Sequence, residues 1–398
     1  VSEVILVFST IAAIMALSFI GDMISRRILL PSVILLIITG ILFGPILHLL
    51  DPTSLGVVVP YLIPLTIAFL GFDSGLKTEI SEVMARSGRA LVLSVLGFLL
   101  STIVVGVFLH SVFGMRWAYA FLLSSAWGGV STATVAAVCK HLQASEETCA
   151  TLTVSSMVDD LLVFVCALTL LNYISLGGLT PYEISLELIG NISISFFLGV
   201  VIGILWLNIL YYSRKGEFNY TFTLAAVLLV FSATEILGGT GGIAIFLFGL
   251  ILGNSQPLAR LFRMRADSYE LSELKDSITK FHSELTFILS TFFFVFIGLL
   301  YVYTGLFEVL LGLFISVLLH ATRLVAVRVA SWRSDLSDDY PAIGLIVGKG
   351  ATAAAVSALP LAANLPNAEM LSGIALNVIL ITNIISIVLP VVAARSSR

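Results

Sequence analysis

The chain has 398 residues, of which 59% are hydrophobic and only 11% charged, with a mean hydropathy of +1.09 and a formal net charge of −4. Soluble domains carry about a quarter charged residues, so this composition excludes an ordinary water-soluble protein and defines a polytopic membrane protein. No enzymatic activity, resident cofactor or nucleic-acid partner is expected. The three cysteines, Cys139, Cys149 and Cys166, show no metal or disulfide spacing and read as small apolar fillers.

The N-terminus, VSEVILVFSTIAAIMALSFIGD, lacks the basic leader and cleavage site of a signal peptide and reads as the first spanning helix. The chain starts at Val1 rather than Met, and a soluble C-terminal regulatory domain could follow beyond Arg398. Apolar runs of about 20 residues, enough to cross a bilayer, fall at 2–20, 29–49, 56–74, 89–113, 117–139, 149–174, 188–212, 219–237, 240–254, 284–303, 305–330, 341–362 and 368–393. That makes about thirteen spans. The eighth and ninth are short and meet at LGGTGG. All read as helices, because lipid offers no partner for exposed backbone N–H and C=O groups. Lysine and arginine concentrate in the odd-numbered loops, whereas the even-numbered loops hold only Arg116. This asymmetry puts the N-terminus outside and the C-terminus in the cytoplasm.

Charges inside the spans are costly, about 2.5–3.5 kcal/mol each on insertion scales. The sixth span, TLTVSSMVDDLLVFVCALTLL, holds Asp159 and Asp160. Asp160 lies roughly 16 Å along the helix axis, near mid-membrane, and adjacent helical residues point about 100° apart. One carboxylate can therefore face a cavity while the other faces a packed neighbour. Arg323 in the eleventh span and Lys349 in the twelfth are the intramembrane cations. The fifth span gathers Gly128, Gly129, Ser131, Thr132 and Thr134 in its middle, and the twelfth gathers Gly348, Gly350 and Thr352. Paired interrupted helices at corresponding positions point to a midplane ion site in secondary transporters. Seven helices apart in a chain of thirteen, they fit two inverted six-helix repeats joined by a lone seventh helix, with helices 5 and 12 broken.

At these residues the chain resembles the monovalent cation/proton antiporter superfamily. The resemblance covers essentially the whole length. It is carried by the ordered set LLPSVILLIITGILFGP, SSAWGGVSTATVAAV, SSMVDDLLVF, GGIAIFLFGLILGN, FFFVFIGLL and HATRLVAV. It implies a homodimer in which helices 5 and 12 cross as broken helices. Scaffold and dimerisation helices 1–3 and 8–10 would fall in residues 1–87 and 213–303. Ion-binding core helices 4–6 and 11–13 would fall in 88–187 and 304–398, with helix 7 at 188–212 as the link. Branch features are mixed. Exchanger-type members carry Asn-Asp on the sixth helix, a Glu four residues before that Asn, and Thr-Asp-Pro at the fifth-helix break. Here Asp159-Asp160, Ser155 and Thr132-Ala133-Thr134 stand instead and look more like the electrogenic and Kef-type branch. Yet Arg323 stands where the electrogenic members have lysine, and Lys349 where exchangers have an arginine between glycines.

The expected function is secondary active antiport of an alkali cation, Na+ or K+, against protons across the cell membrane by alternating access. Asp160 is the shared cation and proton site, helped by oxygens of Thr132 and Ser156; hard cations favour oxygen ligands. Asp159 pairs with Arg323 or with Lys349, and the two aspartates titrate as a coupled pair. A sodium-coupled organic-anion symporter on the same architecture is the alternative. An intramembrane aspartyl protease is disfavoured, since that chemistry needs carboxylates on facing helices. Asp73, Glu235 and Glu308 read as interfacial charges. The segment 259–285 reads as a basic amphipathic cytoplasmic helix, with His282 on its polar surface.

Overall fold

A computed structural model describes residues 5, 11–17, 19–21, 23, 32–48, 59–81, 87–142, 145–175, 181–212, 219–261, 268–299, 301, 306–332, 343–362 and 368–396. Among them all regular structure is helical, as the lipid-facing composition requires. Nearly half of the first predicted span and several of the orienting basic residues lie outside the described residues.

The helices are α1 (Ser32–Ile41, continued by a π-helical turn Leu42–Ile46 that contains Pro45), α2 (Val59–Lys77), α3 (Ser87–Phe113), α4 (Trp117–Ala126) and α5 (Thr132–Leu142). Next come α6 (Glu146–Ser175), α7 (Pro181–Tyr212), α8 (Asn219–Ile236), α9 (Gly241–Gly253) and α10 (Ser255–Leu261). The chain continues with α11 (Ser268–Leu299), α12 (Leu306–Ala330), α13 (Ala351–Ser357), α14 (Leu359–Ala362) and α15 (Ala368–Ser396). Six stretches are long and apolar enough to cross a membrane: Gly88–Phe113, Glu147–Ser175, Ser185–Leu210, Lys275–Leu299, Leu306–Ala330 and Met370–Leu389. The protein is therefore an integral membrane protein. The eighth and ninth predicted spans are two separate helices, α8 and α9, divided at Gly238, whose φ of +80° ends the first of them.

The chain forms two compact units. The first contains Val1–Pro64, Gly88–Val163 and Ile288–Arg398. In it α12 packs along α15; α5, α13 and α14 also lie against α15, and α13 against α4. Leu93, Val130, Val135, Leu152, Ala326, Ile343 and Ile346 share one apolar core. α1 meets the end of α11 backbone to backbone: a Cβ on Gly40 would stand 2.8 Å from the Gly298 Cα, and one on Gly298 would stand 2.9 Å from the Gly40 Cα. Small residues permit such approach where lipid supplies no hydrophobic drive.

The second unit contains Leu65–Ser87 and Phe164–Phe287. Here α9 is packed between α7 and α8, around Phe72, Val227, Ile245 and Phe248. Asn254 ties α9 to the end of α2, donating to the Thr78 carbonyl at 2.8 Å and accepting from the Ile80 N–H at 2.8 Å. Asp73 accepts from Lys77 at 2.6 Å and from Ser283 at 3.0 Å.

Three expectations need correction. His282 is not polar surface but wholly buried, stacked on Phe69 and edge-on to Phe72, with Nε2 donating to the Phe69 carbonyl at 3.0 Å. It is buried because residues 268–285 are no separate surface helix; they form the first turns of α11, which runs unbroken into the tenth span. Cys139 and Cys149 are a bonded pair, with Cα atoms 5.8 Å apart. Cys139 lies in the last turn of α5 and Cys149 in the first turn of α6, a proximity their ten-residue spacing does not announce.

Candidate functional site

The fifth span is interrupted where its glycines predict. α4 ends at Ala126, residues 127–131 are non-helical, and α5 restarts at Thr132. Trp127 and Gly128 N–H groups close the end of α4 on the Ser124 and Ser125 carbonyls, each at 3.2 Å. The twelfth span behaves likewise: residues 346–350 are non-helical, and α13 begins after Gly350. The interruptions meet, with the Ser131 N–H donating to the Gly348 carbonyl at 2.9 Å. Gly348 is needed there, because a Cβ would stand 2.5 Å from Thr134 Cγ2 and 2.6 Å from Asn383 Oδ1. Thr352 is buried in the first turn of α13.

α15 braces this meeting point. Asn383 donates to the Lys349 carbonyl at 2.9 Å and accepts from the Thr134 hydroxyl at 3.2 Å. Ser386 accepts from the Val347 N–H at 2.9 Å. Broken helices free backbone groups that have no intrahelical partner, and these side chains satisfy several of them.

The charged groups converge on the same place. Asp159 is buried at 1% exposure, and both its oxygens are engaged: Oδ1 accepts from the Ser94 hydroxyl of α3 and Oδ2 from the Val130 N–H at 3.1 Å. Asp160, next on α6, is half-buried. Ser156 lies one turn before Asp160 on the same face, and its hydroxyl is 2.9 Å from that of Thr132. Thr132 and Ser156 thus meet where α5 restarts, with Asp160 one turn on from Ser156, while Asp159 is held at the preceding break residue Val130. Lys349 is also buried, and its ammonium donates to the Gly129 carbonyl at 2.6 Å. It sits on the carbonyl end of the first half-helix, where a positive charge is favoured. Arg323, 3% exposed, lies against Gly97 of α3, and its Nε and Nη2 have no hydrogen-bond partner among the described residues. Neither cation forms an ion pair with Asp159 among the described residues. All three charges are buried within the same compact unit.

Ser94 and Asn383 join the site without a motif to announce them, whereas His320, the first residue of HATRLVAV, is buried one turn before Arg323 with Nδ1 donating to the Ser316 carbonyl at 2.7 Å. A polar residue in an otherwise apolar span is the signal each carries.

Discontinuous membrane helices that meet around buried charges define a secondary-transporter architecture. Residues 11–394 match the family described as "Sodium/hydrogen exchanger, transmembrane", and the chain belongs to that family. Among curated relatives, the K(+)/H(+) antiporter NhaP2 of Shewanella sp. (strain MR-4) is 27% identical over 258 residues, 63% of this chain and 44% of that protein. The K(+)/H(+) antiporter NhaP of Alkalimonas amylolytica is 22% identical over 262 residues, 64% of this chain and 45% of that one. The matched stretch thus spans less than half the length of these relatives. The solved structure of the sodium proton antiporter MjNhaP1 from Methanocaldococcus jannaschii at pH 8 superposes with a TM-score of 0.76 at 19% identity, covering 99% of this chain and 97% of that one. That likeness is one of fold.

Proposed function

We propose that the protein exchanges a monovalent alkali cation, Na+ or K+, for protons, with Asp160 as the shared site. The observation that carries the reading is the contrast between the two aspartates. Asp159 is buried with both oxygens engaged, which suits a fixed countercharge. Asp160 is half-buried beside the Ser156 and Thr132 hydroxyls, which suits a group that trades ligands with water. A carboxylate beside hydroxyl oxygens is a hard-cation environment. Protonation removes the charge that holds the cation, so one group alternates between two occupants. The bare carboxylate is the form most penalised in a low-dielectric interior, so the loaded forms are the ones that move.

In this reading Arg323 and Lys349 balance Asp159. Arginine does not deprotonate in proteins, so with Arg323 as the principal countercharge, exchange is one proton per cation. Residues 88–187 and 304–398 act as a moving core against a dimeric scaffold of residues 1–87 and 213–303, linked by 188–212. The two six-helix repeats, thirteen spans in all, lie in the cell membrane with the C-terminus in the cytoplasm. The family supports this over an organic-anion symporter, and the small residues at the meeting of the two interruptions leave little room for an organic substrate. The test is cation-dependent dequenching of a pH dye in proteoliposomes, across Na+, K+ and Li+. Asp160→Asn is expected to abolish the signal, and full exchange by that variant would end the proposal.

A further inference from the structure

We infer that Ser94 is a positioning residue for transport, holding Asp159 on the fifth-span interruption and out of the grasp of Arg323. The inference rests on the proposed exchange reaction and deepens it. Ser94 lies on α3, is completely buried, and donates its hydroxyl to Asp159 Oδ1. Serines in membrane helices ordinarily bond to their own helix, at the carbonyl three or four residues back. Ser316 and Ser195 do so here, at 2.7 and 2.6 Å. Ser94 instead reaches across to another span.

Its neighbourhood gives that reach a consequence. Gly97, three residues on and thus beside Ser94 on α3, is the position against which Arg323 lies: a Cβ there would stand 3.3 Å from Arg323 Nη1. The guanidinium is therefore next to the helix that holds Asp159. Yet two of its nitrogens are buried without an acceptor, an expensive condition for a charged donor. Asp159 is a buried carboxylate in the same compact unit, and its present orientation is set by Ser94 at Oδ1 and Val130 at Oδ2. Each carboxylate oxygen can accept more than one bond, so Ser94 and Arg323 compete over where the carboxylate stands rather than for a single lone pair. While Ser94 holds the carboxylate, Asp159 stays with the α4–α5 break. If Arg323 captures it, the carboxylate is drawn into a bidentate ion pair of the kind arginine favours, and the break loses the acceptor for its Val130 N–H. Removing the Ser94 hydroxyl tips the contest to Arg323 and slows the conformational step, while Asp160, Ser156 and Thr132 keep their oxygens for the cation.

The test compares wild type, Ser94→Ala, Ser94→Thr and Ser94→Val in proteoliposomes, measuring turnover and half-saturating cation concentration separately. Ser94→Ala is expected to lower turnover about tenfold, the scale of one hydrogen bond to a charged group, and to leave the half-saturating concentration within about twofold. Threonine keeps the hydroxyl and restores turnover; valine, of the same size without it, does not. That pair decides the matter even if alanine fails to assemble, since both variants fill the site equally. Equal turnover in the threonine and valine variants, or a wild-type rate in alanine, overturns the inference. A wild type that exchanges no cation at all overturns the proposed function instead, so the two failures are distinguishable.

Discussion

The Ser131 N–H and the Gly348 carbonyl are hydrogen-bonded at 2.9 Å, so the two interrupted spans are joined to each other through their backbones. Each break supplies what the other lacks: one has a spare donor, the other a spare acceptor. Neither could stand alone in lipid, where an unpaired peptide group costs several kcal/mol. The broken helices are thus a mutual structure, and the charges of the site are hung on it.

Gly348→Ala tests how tight that junction is. Its Cβ would press on Thr134 and Asn383, the residues that tie α5 and α15 to the break. Overpacking of this kind costs about 1–3 kcal/mol. We expect a lower melting temperature in detergent, and an unchanged one would show that the junction yields.

Asp159→Asn leaves Arg323 and Lys349 buried with their shared countercharge removed. Breaking a buried charge balance costs about 3–5 kcal/mol. The variant should melt well below wild type. Adding Arg323→Gln should recover part of the loss, because the two changes act on one charge network and are not additive. Simple addition of the two losses would contradict through-space pairing.

His282→Ala removes a ring wedged between Phe69 and Phe72 and deprives the Phe69 carbonyl of its donor. Cavity and lost hydrogen bond together predict destabilisation by about 2–4 kcal/mol. A surface histidine would give nearly none, so thermal melting separates the buried placement from the exposed one.

The proposed exchange at Asp160 predicts the sign of the pH dependence: with one shared site protons and cation displace each other, and linkage makes that displacement reciprocal. The half-saturating cation concentration is expected to rise as pH falls. A half-saturation constant flat across pH would mean separate sites.

Much of this was legible in the residues. Asp159, Asp160, Arg323 and Lys349 stand out because charge in an apolar span needs a reason, and the breaks stand out because glycine and hydroxyl residues crowd two mid-span positions. The partners were not legible. Lys349 bonds the Gly129 carbonyl, a group every residue possesses, so only the meeting of two backbones reveals it. Ser94 looks like any serine in a membrane helix until α3 and α6 are packed together. His282 misleads for a related reason: its polar neighbours suggest a surface, whereas the far end of α2 covers it. Tertiary packing decides these cases, and periodicity carries no record of it.

Where Gly40 meets Gly298, main chain rests on main chain with nothing compressible between. Sliding α1 along α11 would drive a peptide carbonyl into a Cα, so these stretches are keyed like a tenon in its mortise. The travel that the proposed exchange requires would have to be taken up at other seams.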